Sequence, residues 1–200
     1  MIASPFGHGA IVNTDGAIFS FAGNAQKNAL TPFTLDTVRG APPDAQSIWC
    51  RSPIRRRRSS SRKAGGPREI HFGRGYATFR QVCGDLRAEL EVCVVPDAPV
   101  ELRLLRIENR GAQASRCRVA AYFEMVLAEV PLDSRGRLAV EAASSEDALF
   151  FLEPANDFVA GVAFVATSLA NAKSECVRAR FVGGVGPRSR EPVLRRARRS

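Results

Sequence analysis

The stretch Leu86-Arg87-Ala88-Glu89-Leu90-Glu91-Val92-Cys93-Val94 places an apolar side chain at every second position, with charged residues at most positions between. Because successive side chains of a β-strand point to opposite faces of the sheet, this alternation predicts a strand with one buried and one solvated face. Pro96-Asp97 follows the stretch and supplies residues that end a strand. The same period of two, repeated along the chain, decides the fold class.

The segments around this strand show the same period, and no segment sustains a helical period for more than about two turns. Val100–Asn109 carries Leu102 and Leu104 in one phase and Leu105 and Ile107 in the other, which predicts either a bulge or a change in which face the strand buries. Turn residues separate the strands, whereas parallel sheets would need helical crossovers. The sequence therefore predicts an all-β fold, a large antiparallel β-sandwich. Further strands are predicted at Phe19–Phe21, Cys117–Leu127, Leu149–Leu152, Val159–Ser168 and Cys176–Val182.

The length of 200 residues and the 45% content of hydrophobic residues suit one domain with a substantial core. Neither a basic start with an apolar run nor an uninterrupted apolar stretch of ~18 residues occurs, so no signal peptide or membrane span is expected.

The five cysteines are odd in number and show no metal-ligand spacing, from which we expect reduced thiols in a cytoplasmic protein. With only His8 and His71, no metal site is expected, and no cofactor is implied.

The formal net charge of +9 is concentrated in two basic segments. Residues 51–68 contain eight basic side chains and no acid, and residues 188–200 contain six arginines and one glutamate. Their charges of +8 and +5 leave −4 for the rest of the chain. Blocks of like charge are usually solvated and disordered. We therefore expect a β-sandwich over residues 1–187, interrupted by a disordered basic loop at 51–68 and followed by a basic tail.

Residue patterns for catalysis are absent from the sequence. No Gly-x-Ser-x-Gly elbow, phosphate loop or Cys/His nucleophile arrangement occurs. Glu89, Glu91, Glu101 and Glu108 stand at strand positions opposite apolar residues, where carboxylates usually face solvent. We therefore expect no acid/base pair among them and assign no catalytic residue.

Three uncharged amides cluster in the loop that follows the aromatic strand Phe19-Ser20-Phe21. Gly23 supplies a turn, and Asn24, Gln26 and Asn28 stand at every second position. Amide side chains donate and accept hydrogen bonds without the desolvation cost of a charge, which suits sugar hydroxyls. These three residues are the predicted carbohydrate-binding site. The alternative is that they satisfy the backbone of their own loop, as such residues commonly do in turns.

The same loop resembles a segment of glycoside hydrolase family 94, formerly glycosyltransferase family 36, in its cyclic β-1,2-glucan synthase and cellobiose phosphorylase-like members. It reads Phe21-Ala22-Gly23-Asn24-Ala25-Gln26-Lys27-Asn28-Ala29-Leu30-Thr31-Pro32-Phe33, against a family pattern of aromatic-Ala-Gly-Asn-Ser-x-x-Asn-x-Leu-Thr-Pro-Trp. Further pieces that resemble family strands occur in the same order, at Ser4–Gly9, Gly73–Phe79, Leu104–Arg110 and Tyr122–Leu127.

The resemblance implies a supersandwich-like N-terminal domain that precedes a helical linker and an (α/α)₆ catalytic barrel. In that family an aspartate of the barrel is the general acid, and phosphate attacks the anomeric carbon with inversion. The resemblance thus implies that this chain is the non-catalytic part of a glycosyltransferase or glycoside phosphorylase acting on β-glucans, inactive by itself. Its implied partners are a β-glucan or other sugar, the downstream barrel and a second copy of the chain.

The chain departs from the family pattern between Trp49 and Gly73. An arginine- and serine-rich run, Arg55–Gly66, replaces the expected loop and strand, and Phe72 stands where a histidine is expected. An insertion or a local reading-frame disturbance would each produce this difference.

Two other functions stay open. One is nucleic-acid binding through the arginines, which the lack of interleaved aromatic residues disfavours, and the other is an inactive orphan structural domain.

Limited trypsin digestion tests the expected basic loop. Exposed loops are the preferred sites of nicking, so the first cuts should fall among Arg55–Lys63 and leave the remaining sandwich intact. Mass spectrometry of the fragments identifies the cleavage sites. Protection in the free protein would contradict an unstructured loop, and protection only after RNA is added would favour the nucleic-acid alternative.

Overall fold

The computed structural model describes residues 1–13, 18–32, 46–51, 68–128, 139–143, 148–158, 161–170 and 172–176, with the backbone alone at 46–51, 68 and 139–143. Over these ranges the chain forms strands and turns and contains no helix, which confirms the predicted all-β fold. The described part accordingly has no helix that is long and apolar enough to cross a membrane. The predicted basic loop, residues 51–68, lies outside the described residues except at its ends, where Arg51 and Arg68 belong to strands, contrary to the prediction. The predicted basic tail, residues 188–200, lies wholly outside the described residues.

Twelve strands lie within the described ranges. They are β1 (Ile2–Ala3), β2 (His8–Val12), β3 (Ile18–Ala22), β4 (Gln46–Arg51), β5 (Arg68–Gly73), β6 (Tyr76–Cys83), β7 (Leu86–Val94), β8 (Glu101–Asn109), β9 (Arg118–Phe123), β10 (Ala139–Ala143), β11 (Ala148–Leu152) and β12 (Ala163–Ala166). The pairs β1–β2, β2–β3, β4–β9, β5–β6, β6–β7 and β7–β8 are all antiparallel, as predicted.

The chain divides into two compact units. The first comprises Met1–Ala139 and Leu152–Ala163, and the second comprises Val140–Phe151 and Phe164–Ser200. Three sheets belong to the first unit, with the strand orders β1-β2-β3, β4-β9 and β5-β6-β7-β8. The sheet β10-β11-β12 lies largely in the second unit.

The main core of the first unit forms between the β1-β2-β3 sheet and the β5-β6-β7-β8 sheet. Ala10 and Ile18 contribute from the first sheet, and Ala77 and Val92 contribute from the second. The alternation predicted for β7 is confirmed, because Leu90, Val92 and Val94 belong to this core or pack against it, while the charged residues of the strand lie on the opposite face. Each fully buried aliphatic side chain stabilises the fold by ~1.5–3 kcal/mol relative to an exposed one, so this cluster holds the two sheets together.

The outer face of the four-stranded sheet carries a row of alternating charges. The strand register aligns Glu69, Arg80, Glu89 and Arg106 across β5, β6, β7 and β8. Nε of Arg80 donates to Oε2 of Glu89 at 2.7 Å, and this hydrogen bond lowers the pKa of Glu89. A guanidinium nitrogen of Arg106 lies 3.6 Å from Oε1 of Glu89. Because opposite charges face each other on adjacent strands, the row favours the observed register.

Strand β8 differs from its prediction in two respects. Its pairing with β7 is continuous over all nine residues and its burial alternates regularly, so the prediction of a bulge or a change of buried face is wrong. The continuous register turns Leu102 and Leu104 to the outer face, where both are exposed, and turns Glu101 inwards. The prediction that Glu101 faces solvent is therefore also wrong. Pairing with β7 imposes one alternation along the whole of β8, and polar partners in the interior compensate the buried carboxylate.

The later strands agree in part with the sequence prediction. β9 begins one residue after Cys117 and stops at Phe123, four residues before the predicted end. β11 confirms the prediction for Leu149–Leu152, and β12 occupies the middle of the predicted segment Val159–Ser168. The prediction for Cys176–Val182 lies outside the described residues except at its first position.

The cysteines occur in two states. Cys83, Cys93 and Cys176 are free, whereas Cys117 is disulfide-bonded. The expectation of reduced thiols is therefore wrong at Cys117, because an odd number of cysteines does not exclude one bonded pair. Burial raises the pKa of the Cys93 thiol, which disfavours the thiolate that nucleophilic chemistry requires.

Val92 tests the packing between the two sheets. It is fully buried, so Val92→Ala removes apolar contacts and leaves a cavity, and we expect the free energy of unfolding to fall by roughly 2–3 kcal/mol. Val82, 38% exposed on the outer side of β6, is the matched control, and its alanine variant should cost less than ~1 kcal/mol. Urea unfolding followed by circular dichroism measures both. Equal losses would contradict the assignment of the core face.

Candidate functional site

The loop that carries the predicted sugar-binding amides begins where β3 ends, at Gly23. This glycine has a φ of 71°, and its N–H donates to the carbonyl of Gly7 in the β1–β2 turn at 2.6 Å. The loop then folds back on β3, since the N–H of Leu30 donates to the carbonyl of Ser20 at 2.8 Å. A side chain other than glycine is strained at this φ, which explains why a glycine begins the loop.

Asn24 holds the turn of the loop. Its Oδ1 accepts hydrogen bonds from the backbone N–H groups of Gln26 at 2.8 Å and Lys27 at 3.1 Å. Its carbonyl accepts another from the N–H of Asn28 at 2.9 Å. This is the local bonding that favours Asn in turns, and it leaves the side chain on the exposed surface of the loop.

Asn28 is buried, with 3% of its surface exposed, and it anchors the loop from below. Its Nδ2 donates to the carbonyl of Ala22 at 3.2 Å, and its Oδ1 accepts a hydrogen bond from Nδ2 of Asn156 at 3.0 Å. Nδ2 of Asn156 also donates to the carbonyl of Leu127 at 2.8 Å. Asn28 thus joins three segments of the first unit and does not present its amide to solvent.

Gln26 occupies the opposite situation, because its side chain is exposed. Among the described residues its amide group makes no hydrogen bond, while its backbone N–H is held by Asn24. The structure therefore places two of the predicted residues, Asn24 and Gln26, on the surface of the loop and the third, Asn28, beneath it. The three share one loop but not one surface.

The apolar underside of the loop completes its support. Phe19 on β3 packs with Ala29, Val126 and Ala128 in a second buried cluster. The N–H of Ala29 donates to the carbonyl of Ala128 at 3.2 Å, which ties the loop to the segment after β9. Leu127, between these contacts, has a φ of 51°, a strained value for leucine that surrounding bonds must maintain.

Sequence reasoning missed Asn156 and Leu127 as members of this arrangement. Asn156 stands 128 residues from Asn28 along the chain, so no local pattern connects the two. The signal available in the sequence was the turn-forming composition of Glu153–Asp157, which contains Pro, Asn and Asp.

A buried polar cluster lies on the other face of β3 and is centred on Glu101. Oε2 of Glu101 accepts a hydrogen bond from Oγ of Ser20 at 2.7 Å and lies 3.5 Å from Nε2 of His8. Its Oε1 accepts from Nε and a terminal nitrogen of Arg103 at 2.7 and 2.6 Å. The guanidinium of Arg103 also lies 4.8 Å from the centre of the Phe123 ring, within the range of a cation–π contact.

The surroundings of Glu101 decide its ionisation. Burial by itself raises the pKa of the carboxyl, but the polar contact with His8, the charge of Arg103 and the hydrogen bonds from Ser20 and Arg103 outweigh it and lower the pKa to about 2. Glu101 is therefore ionised at neutral pH and has no proton to give to a leaving group. The cluster acts as a structural ion pair. In the described part of the chain, no three His, Cys, Asp or Glu side chains are grouped to hold a metal ion.

These features describe an antiparallel β-sandwich domain with an ordered amide loop at its surface. Residues 4–198 match the family model of the glycosyl hydrolase 94 supersandwich domain, and the chain belongs to that family. The resemblance noted in the sequence is thereby confirmed.

One characterised relative extends this comparison. Cyclic beta-(1,2)-glucan synthase NdvB of Rhizobium meliloti (strain 1021) is 31% identical to this chain over 119 residues. The match covers 58% of this chain and 4% of that protein, so the chain spans only a small part of its relative. Both comparisons relate the chain to carbohydrate-active enzymes.

The low pKa of Glu101 predicts acid sensitivity. The folded pKa is about 2 and the ordinary value is 4.5, so the stability that the ionised carboxylate contributes is complete above pH 4.5 and is lost as the pH falls towards 2. The contribution is on the order of 3 kcal/mol. Urea unfolding at a series of pH values measures it.

Glu101→Gln should remove most of this acid-dependent loss. At neutral pH it should lower stability by ~3–5 kcal/mol, because Arg103 is left without its charged partner. Glu108→Gln, at an exposed position of the same strand, is the control and should retain the acid-dependent loss. A wild-type protein whose stability does not change between pH 5 and pH 2.5 would contradict the assignment.

Proposed function

We propose that the chain is a non-catalytic, carbohydrate-contacting and structural domain of an enzyme that acts on β-glucans. The observation that carries this proposal is a rigidly held loop that exposes the neutral amides of Asn24 and Gln26 on a glycosyl hydrolase 94 supersandwich domain. The relationship to a cyclic β-(1,2)-glucan synthase supports the choice of a β-glucan.

The chemistry of the loop suits a neutral, polyhydroxylated ligand. Each sugar hydroxyl both donates and accepts, and a glutamine amide offers one acceptor and two donor hydrogens. Gln26 provides this group at the surface, while the hydrogen bonds of Asn24 keep the backbone beneath it in place. In this proposal Asn24 and Gln26 contact the sugar. Asn28 contributes by positioning the loop, since its side chain is buried and bonded to Ala22 and Asn156.

The catalytic acid is proposed to lie outside this chain. Glu101 is buried and ionised, and two other carboxylates of the β5-β6-β7-β8 sheet, those of Glu89 and Glu108, form ion pairs with arginines. A separate catalytic domain, the (α/α)₆ barrel that the family resemblance implies, would supply the general acid for transfer or phosphorolysis of a glucosyl group. The isolated chain should accordingly show no turnover of a β-glucoside with phosphate.

Binding of a short β-1,2-linked glucooligosaccharide to the purified chain tests the loop. Gln26→Ala should raise the Kd roughly two- to tenfold, because a neutral hydrogen bond contributes ~0.5–1.5 kcal/mol, and should leave the free energy of unfolding unchanged. Isothermal titration calorimetry measures the Kd. The matched control is Gln113→Ala, an exposed glutamine in the loop after β8, which should not alter binding.

Asn28→Ala helps to distinguish whether the amides bind sugar or only support their own loop. It removes the hydrogen bonds of a buried amide and leaves the partly buried amide of Asn156 without one partner, so it should lower the free energy of unfolding by ~1–3 kcal/mol. If Gln26→Ala and Asn24→Ala leave binding unchanged while Asn28→Ala lowers stability, the amides serve only their own loop and the sugar-binding role is rejected.

A further inference from the structure

Phe158 is an exposed aromatic ring on a rigid support. Its ring side chain is half exposed, at 51%, although the turn that carries it is tightly hydrogen-bonded. The N–H of Phe158 donates to Oδ1 of Asn156 at 3.0 Å, and the N–H of Asn156 donates to the carbonyl of Glu153 at 3.1 Å. Glu153 is itself buried and accepts from the N–H of Ala155 at 3.1 Å. The backbone that leads into the ring from Glu153 is thus held by hydrogen bonds.

The ring lies directly beside the amide loop. A β-carbon built on Gly23 would lie 3.6 Å from Cε1 of Phe158, so the ring edge is in van der Waals reach of the residue that begins the loop. The two segments are joined a second time beneath the surface, where Asn156 bonds Asn28. Both ends of this connection belong to the first compact unit. The ring of Phe158 therefore adjoins the start of the loop, one residue before Asn24 and three before Gln26, both of which are exposed.

The exposure of this ring has a free-energy cost. Burying a phenylalanine side chain stabilises a fold by ~1.5–3 kcal/mol relative to leaving it in water. Because Phe158 is half exposed, the fold lacks much of this stabilisation. A ring on a flexible tail could be exposed without any function. The turn that carries Phe158 is instead held in place by the hydrogen bonds of Asn156 and Glu153. An ordered aromatic face next to exposed amides is the composition of a small-molecule binding surface.

We propose that the ring of Phe158, together with Asn24 and Gln26, forms a stacking subsite for a single neutral pyranose unit. This inference rests on the carbohydrate-contacting function proposed above and specifies its geometry. A β-linked glucose unit carries its hydroxyls around the ring edge and presents C–H groups on its faces. The C–H face packs on the electron-rich face of Phe158, and the edge hydroxyls reach the amides.

The charge of the amide loop agrees with a neutral ligand. Between Gly23 and Pro32 the loop contains one charged residue, Lys27, whose backbone N–H is held by Asn24. No carboxylate occurs in the loop to bind a cation, and a single lysine does not make an arginine fork for a phosphate. Recognition therefore depends on shape, on stacking and on neutral hydrogen bonds.

The experiment is titration of the full 200-residue chain with a short β-1,2-linked glucooligosaccharide. Calorimetry measures the Kd, and saturation-transfer NMR detects which sugar protons contact the protein. Phe158→Ala should raise the Kd roughly two- to tenfold, the range of an aromatic contact, and should remove transfer to the sugar C–H protons. Phe158→Tyr keeps the aromatic face and should restore the wild-type Kd. Phe72→Ala, which removes a ring of equal exposure, 51%, on β5, is the matched control and should leave the Kd unchanged.

The outcomes separate this inference from the function on which it rests. If the wild-type chain binds and Gln26→Ala weakens binding but Phe158→Ala does not, the amide loop binds sugar and the stacking subsite is rejected. If Phe158→Ala and Phe72→Ala weaken binding equally, the effect of Phe158 is not specific and the inference also fails. If the wild-type chain does not bind the β-1,2-linked glucooligosaccharide, both the proposed function and the stacking subsite are overturned.

Discussion

The carboxylate of Glu101 is the constraint on which the first unit depends. It lies inside the protein and bonds Ser20 from β3 and Arg103 from its own strand, while His8 from β2 lies within 3.5 Å. A buried charge without such partners would cost several kcal/mol, so the arrangement of the two sheets that brings these groups together is favoured over one that separates them. Aliphatic packing holds the sheets against each other without specifying that arrangement. The carboxylate adds this specificity.

Ser20 connects this interior cluster to the surface loop. Its hydroxyl donates to Glu101 on one face of β3, while its backbone N–H donates to Oγ1 of Thr31 at 3.0 Å and its carbonyl accepts from Leu30. The returning end of the amide loop is therefore anchored to the strand that contacts the buried charge. A loop fixed in this way can hold side chains for a ligand with little ordering cost on binding.

Local sequence patterns predicted much of the fold. The period of two in β7 and in the strands around it indicated antiparallel sheets, because alternation of side chains is a local property of an extended backbone. The loop after β3 was also identified as the candidate site, since its turn residues and amides are adjacent in sequence. The exposure of Gln26 and the burial of Asn28 were not predicted, because two amides in the same loop have the same local chemistry.

The sequence by itself determined the strand content, the turn chemistry and the family of this chain, because each depends on residues close together along the backbone. Only the tertiary structure decided which face of β8 is buried, since the phase of that strand follows from its hydrogen bonds to β7 and not from its own apolar residues. The same holds for Asn156 and Phe158, which support and flank a loop more than a hundred residues away. Contacts over such a separation arise from packing, and no periodicity within a short segment encodes them.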